Sequence, residues 1–286
     1  MKLAVIQTSY SKNVNEKISE KIAEASKKAD LIILQELHQS PYFCITEDPK
    51  NFQFANNFQK DLEFWKDIAE KNSVVLVTSL FEKRAEGLYH NTAFVFEKDG
   101  SIAGKYRKMH IPDDPAYYEK FYFTEGDLGF NPIQTSVGKL GVLICWDQWF
   151  PEASRMMAMA GAEILIYPTA IGFLDEEPIK EQKSQLERWL TIQKSHAIAN
   201  GIPVATANRV GFEPDPSNNF KGINFWGNSF ILNAKGEVIS KASETDDEVI
   251  YAEILKSETK EMRDMWPFFR DRRIEDYSDL TKRWRD

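Results

Sequence analysis

Three side chains with useful chemistry stand where apolar runs end. Glu36 closes LIILQE, Lys108 follows a hairpin in GKYRKMH, and Cys145 closes LGVLIC. In open α/β sheets, sites gather beyond the carboxyl ends of strands, so the three could share one pocket. A thiol becomes a competent nucleophile once it loses its proton. A neighbouring carboxylate can take that proton. A lysine can hold the negative oxygen of a tetrahedral intermediate, together with a backbone N–H. The amide of Trp146, where strand turns toward helix, would be that donor. None of the four histidines needs to act as base. Each residue also has a plainer role. A lone cysteine on an apolar strand is usually a small buried hydrophobe. A terminal Glu is usually solvated or a helix cap, and a Lys in RKMH is usually surface charge. Spacing alone leaves both readings open.

The elements that would position these residues follow a repeating rhythm. LAVIQ (Leu3 to Gln7) and LIILQE (Leu31 to Glu36) read as buried strands. Between them Val14, Ile18, Ile22, Ala25 and Ala29 recur at helical spacing, behind an Asn13/Glu16 capping box. A helix through Asp61 to Lys71 and the strand VVLVTSL follow. NTAFVFEKDGSIAGKY is a hairpin with Asp99-Gly100 as a type I′ turn. Residues 109–130 form a long polar and aromatic loop, and such loops are often functional. After a second hairpin near Val137 the order repeats. A helix spans about Pro151 to Ala160, with EILIYP next as a strand. A long helix runs from about Glu181 to Asn200, then PVATANR, a hairpin at Lys235-Gly236, and EVIYAEI. The expectation is one α/β domain over residues 1–266, with two sheets each covered by helices on one face. The tail, 267–286, keeps Phe268, Phe269, Tyr277, Leu280 and Trp284, and is expected to dock on the body or on a neighbouring subunit.

Composition narrows the class. A net charge of −8 over 286 residues lacks the basic face that nucleic-acid phosphates require. No lysine/arginine run points to an anionic membrane surface, and no stretch is long enough to span a bilayer. Two cysteines, Cys44 and Cys145, make no disulfide framework, and a cytoplasmic location is expected. The scattered histidines and cysteines show no metal-ligand spacing, so no cofactor is implied.

LIILQELHQSPYFC, KYRKMHIPDDPAYYEKFYFTEGD, GVLICWDQWFPE and YPTAIG together resemble the nitrilase, or carbon–nitrogen hydrolase, superfamily over nearly the whole chain. The resemblance is closest to the branch acting on N-carbamoylputrescine. It implies a four-layer αββα sandwich, a Glu36–Lys108–Cys145 catalytic triad, and homo-oligomers. It also implies that Glu119, in YYEKF, is a second carboxylate ordering Lys108 and the substrate nitrogen. Two departures stand out: Gln35 where the superfamily often has proline, and Thr124-Glu125-Gly126-Asp127 where the branch commonly reads TPGD. A low-pKa Cys145 would be alkylated faster than Cys44.

By the same resemblance Tyr42, Asp113, Trp146 and the backbone around Ala170 match substrate-binding positions. A cationic carbamoyl-diamine wants an apolar wall for its methylenes and an acidic far end. Asp113 could equally hold a turn. Trp146 could be core, and His110 could face the pocket or support the loop. FLDEEP (Phe173 to Pro178) reads as a solvated acidic loop near the mouth. Relatives that hydrolyse carbamoyl amino acids carry arginines where Gln148 and Trp149 stand, and an unpaired buried carboxylate is costly. Arg155 and Arg188 remain as substitutes. The expected reaction converts N-carbamoylputrescine to putrescine, ammonia and carbon dioxide. The alternatives are a β-ureidopropionase, an ω-amidase, or an inactive binding module on the same fold.

Overall fold

A computed structural model describes residues 1–285. The first half contains β1 (Lys2–Gln7), α1 (Val14–Ala25), β2 (Leu31–Ile33), α2 (Phe58–Asn72), β3 (Val75–Val77), β4 (Leu80–Ala85), β5 (Leu88–Phe96) and β6 (Ile102–Arg107). The second half contains β7 (Ile133–Thr135), β8 (Gly138–Val142), α3 (Pro151–Met159), β9 (Ile164–Pro168), β10 (Gly172–Leu174), α4 (Ile179–Asn200) and β11 (Val204–Ala207). It continues with β12 (Val210–Pro214), β13 (Gly222–Trp226), β14 (Phe230–Leu232), β15 (Val238–Lys241), β16 (Glu248–Glu253) and α5 (Lys256–Met265). One sheet has the order β16-β1-β2-β3-β5-β4, with β6 on the free side of β5. The other has the order β15-β14-β11-β9-β8-β7, and β10-β13-β12 form a small third sheet.

Alternation explains the layers. Leu3 and Val5 of β1 join the core shared with Val142, Ile166 and Ala205 of the second sheet. Ala4 and Ile6 turn to the opposite face and pack with Ile18 and Ile22 of α1 and Trp65 of α2. Successive side chains of a strand point to opposite faces, so a strand apolar at every position must be covered on both sides. Met157 of α3 with Trp189 and Ala197 of α4 cover the second sheet's outer side. The result is the expected four-layer αββα sandwich. β1-β2-β3 and β8-β9-β11 are both parallel trios, which gives the two halves their similar order.

Several local expectations change. Asn13 makes no capping bond, because its Oδ1 instead accepts from Ser11 Oγ, and α1 stops at Ala25 before Ala29. At the Asp99-Gly100 turn only Gly100 has positive φ, +77°, so a type I′ turn, which requires both, is not formed. VVLVTSL divides into β3 and β4. The strands before Glu36 and Cys145 end three residues early, at Ile33 and Val142. Leu34 N–H and Leu143 N–H still reach the neighbouring strands, at Val77 O and Ile166 O, but beyond them Glu36 N–H reaches Thr169 O across the sheets and Ile144 N–H reaches the Asp147 carboxylate. In the tail, Phe269 packs under the guanidinium groups of Arg155 and Arg263, while Ile274, Leu280 and Trp284 stay exposed.

Leu232 on β14 is fully buried in the main core. Leu232→Ala is expected to lower unfolding free energy in urea by about 2–5 kcal/mol, while turnover per folded molecule stays at the wild-type level.

Candidate active site

Glu36, Lys108 and Cys145 converge at one end of the sandwich. Lys108 directly follows β6, and Glu36 and Cys145 lie in the turns after β2 and β8. The Lys108 side chain is wholly buried and its Nζ donates to Glu36 Oε1 at 2.8 Å and to Glu119 Oε2 at 2.6 Å. Its third proton has no partner in this cluster. Asn91 Nδ2 also donates to Glu36 Oε1, at 2.7 Å. Glu36 Oε2 is buried and accepts from nothing among the described residues, which leaves one carboxylate oxygen free to take a proton. Tyr42 Oη donates to the far oxygen of Glu119 at 2.8 Å.

Two carboxylates around one ammonium leave an excess negative charge, and burial amplifies it. Burial alone would lower the Lys108 pKa, but Glu119 and Glu36 outweigh it and hold the ammonium well above the usual lysine range. Burial lifts Glu119 to about 7, against the pull of Lys108 and with the push of Glu36. Burial, and then the Glu36 charge, also push the Cys145 thiol well above its ordinary value, with Lys108 opposing. This corrects the expectation of a low-pKa cysteine. The resting group is a thiol, and its activation needs a base at hand.

Cys145 sits on a sharp elbow. Its φ is +41°, a conformation that costs a non-glycine residue about 1–3 kcal/mol. The elbow opens a short 3-10 helix, Cys145–Trp149, whose first N–H groups have no carbonyl one turn back. The Trp146 N–H bonds to no carbonyl among the described residues. Cys145 Sγ lies 3.9 Å from Ala170 O.

A cavity of about 440 Å³ opens onto the sulfur, with Trp146, Ala170, Tyr117 and Trp226 on its walls. Tyr117 Oη is tied to Gly172 N and O. At the mouth stand Asp114, Glu177, Glu181 and Arg188. The Arg188 guanidinium pairs with Glu181 at 2.5 Å. Glu177 accepts from Gln185 Nε2 and Leu174 N.

Of the residues expected to bind substrate, Trp146 and Ala170 line this cavity. Tyr42 lies behind it, supporting Glu119. Asp113 is exposed and outside the lining; its neighbour Asp114 occupies the wall, because the chain turns at this Asp-Asp-Pro stretch. Gln148 points away into the core, where its Oε1 accepts from Trp189 and Gln193, and only Trp149 faces the cavity. Arg155 is spent on Ala199 O, remote from the sulfur, whereas Arg188 is at the mouth. His110 supports the loop: it bonds Asp147 and stacks on Phe150. Glu177, within FLDEEP, lines the mouth, which an acidic loop's sequence could suggest but not place. Asn91 carried no signal, since a polar residue opening a hairpin strand is ordinary.

The first departure is absorbed by hydrogen bonding, and the second, Glu125, is exposed beside residues that are held tightly. Gln35 makes reciprocal bonds with Thr8 N and O, joining the ends of β1 and β2. Gly126 donates to Lys108 O, and a Cβ there would lie 2.1 Å from Arg107 O, so the strap beside Lys108 needs glycine. Asp127 pairs with Arg107 at 2.7 Å.

A family model described as carbon–nitrogen hydrolase matches residues 2–264. The citrullinase of Francisella tularensis is 39% identical over 290 residues, 99% of each chain. The N-carbamoylputrescine amidase of Oryza sativa is 41% identical over 264 residues, 91% of this chain and 86% of its own. A crystal structure of a carbon–nitrogen hydrolase from Helicobacter pylori G27 superposes with a TM-score of 0.98 at 56% identity, over 100% of this chain and 99% of that one.

Cys145 faces the cavity while Cys44 is sealed in an aromatic cluster. Iodoacetamide followed by mass spectrometry is expected to label Cys145 and spare Cys44 in the folded protein. Because the thiol pKa is raised, the rate should still climb as pH rises through 9, the upper side of the ordinary thiol range. Equal slow labelling of both cysteines would count against a reactive Cys145.

Proposed function

The chain belongs to the carbon–nitrogen hydrolase family and is an amidase, and on that premise we propose that it hydrolyses N-carbamoylputrescine to putrescine, ammonia and carbon dioxide. Glu36 Oε2 takes the Cys145 proton as the sulfur attacks the carbamoyl carbon. The free Lys108 proton and the Trp146 N–H hold the oxyanion. The C–NH2 bond breaks, and ammonia leaves with the proton from Glu36. Glu36 then accepts a proton from water, whose oxygen displaces the sulfur, and passes that proton to the departing thiolate, which restores the Cys145 thiol and the Glu36 carboxylate. The freed carbamate decomposes to the amine and carbon dioxide. Glu119 holds Lys108 in place and charged. The free oxygen of Glu36, buried in a site where every other oxygen of the two carboxylates is bonded, supports its role as the base.

The mouth carries the substrate reading. Three carboxylates, Asp114, Glu177 and Glu181, face one guanidinium that Glu181 already engages. That balance favours a cationic end and repels a simple carboxylate, against the β-ureidopropionase and ω-amidase readings. The relative named for N-carbamoylputrescine supports the same choice. A second reading is favoured by Arg188, whose guanidinium donors stand on this cavity's lining. Citrulline bears the same ureido group with an ammonium and a carboxylate at its far end, and these donors suit that carboxylate. The exposed apolar residues of the tail support a subunit contact, and the reading is of a homo-oligomer built on one catalytic domain.

Ammonia release from N-carbamoylputrescine, citrulline and N-carbamoyl-β-alanine, compared side by side, tests the choice. The expected order places the diamine first, with Cys145→Ala inactive on all three. Glu177→Gln should raise KM for the diamine about tenfold, equivalent to about 1.4 kcal/mol, with kcat little changed. A preference for citrulline that disappears in Arg188→Gln would establish the second reading, and a preference for the β-alanine derivative would overturn both.

A further inference from the structure

Asp147 is wholly buried, two residues beyond the nucleophile, and both its oxygens are saturated. Oδ2 accepts from Ile144 N at 2.9 Å and from Tyr106 Oη at 2.9 Å. Oδ1 accepts from His110 N at 3.0 Å and from His110 Nδ1 at 2.7 Å. An ionised carboxylate has acceptor capacity only, so the His110 Nδ1 proton points at it. The Asp147 N–H in turn donates to Ile144 O at 3.0 Å, closing a ring around the strained Cys145.

The four donors have a pattern. Ile144 is the residue before Cys145. Tyr106 and His110 lie two residues before and two after Lys108. One carboxylate therefore ties the nucleophile's elbow, on the second sheet, to both flanks of the lysine's segment, on the first. We infer that Asp147 is a positioning residue that sets the placement of Cys145 relative to Lys108, so that sulfur and oxyanion donor meet the same carbonyl. The inference rests on the Glu36–Lys108–Cys145 reading of the site.

Asparagine cannot replace it. Its amide nitrogen would face either Tyr106 and Ile144 or His110, donor against donor, and one of the two ties would open. A misplacement of about 1 Å between reacting groups lowers rate about 100-fold. The expected result for Asp147→Asn is a kcat lower by about 100-fold with KM nearly unchanged. Tyr106→Phe, which removes one donor without changing shape, should lower kcat several-fold. The double variant should be no slower than Asp147→Asn alone, because both remove the same tie. Leu232→Ala, remote from the site, supplies the structural comparison: at an equal loss of Tm it should keep wild-type kcat.

Wild-type kcat in Asp147→Asn, or an equal kcat loss in Leu232→Ala at matched Tm, would overturn the role of Asp147 alone. Additive losses in the double variant would do the same. If Asp147→Asn does not fold, Tyr106→Phe decides, and an unchanged kcat there overturns the inference. Turnover retained in Cys145→Ala would overturn it on separate grounds, by removing the nucleophile it serves.

Discussion

A lysine ammonium buried between two carboxylates is the interaction on which the site depends. Lys108 could not remain charged in a dry interior alone, nor could Glu36 and Glu119 without it. Each member needs the others within hydrogen-bond reach, and each comes from a different segment: the turn after β2, the end of β6 and the long loop. The fold must therefore bring three segments to one point and hold them against the repulsion of the excess charge. Asn91 and Tyr42 finish the arrangement by donating to the carboxylates. Among the described residues the cluster is left open at Glu36 Oε2 and at the third Lys108 proton, the two points the proposed mechanism uses for proton transfer and for the oxyanion.

The second sheet supplies what the cluster lacks. Its turn after β8 carries the sulfur on a strained elbow beside the Trp146 N–H, which bonds to no carbonyl among the described residues. Arg209, buried after β11, reaches back to the carbonyls of Glu36, Leu37 and Ser40, and pairs with Glu213, which accepts from Tyr42 N. The two sheets are thus joined at the site as well as through their apolar faces. Strain at Cys145 persists because bonds on both sides of it are satisfied only in that conformation.

The buried strands were legible because residues apolar at every position demand cover on both faces. The convergence of Glu36, Lys108 and Cys145 was legible only as three reactive types near the ends of apolar runs, and the resemblance sharpened it into a candidate triad. The Asn13 cap and the Asp99-Gly100 turn were misread because each depends on competing local bonds. Asp113 and Asp114 are adjacent and chemically identical, so no pattern could say which one reaches the cavity wall. Gln148 stands where some relatives carry a carboxylate-binding arginine, yet its amide is committed to Trp189 and Gln193, on a helix more than forty residues away.

Composition and periodicity by themselves determined the layered α/β architecture, since apolar burial is a property of each segment's own residues. They also marked Glu36, Lys108 and Cys145 as candidates for chemistry, since the reactivity of a carboxylate, an ammonium or a thiol is fixed by residue type, while leaving a plainer role open for each. Only the tertiary structure decided that Glu36 keeps a free oxygen, that the Cys145 thiol is pushed up rather than down, and that Glu177 and Arg188 share the mouth. The reason is physical. Charge balance, desolvation and hydrogen-bond occupancy belong to groups brought together from distant parts of the chain, and no segment carries them alone.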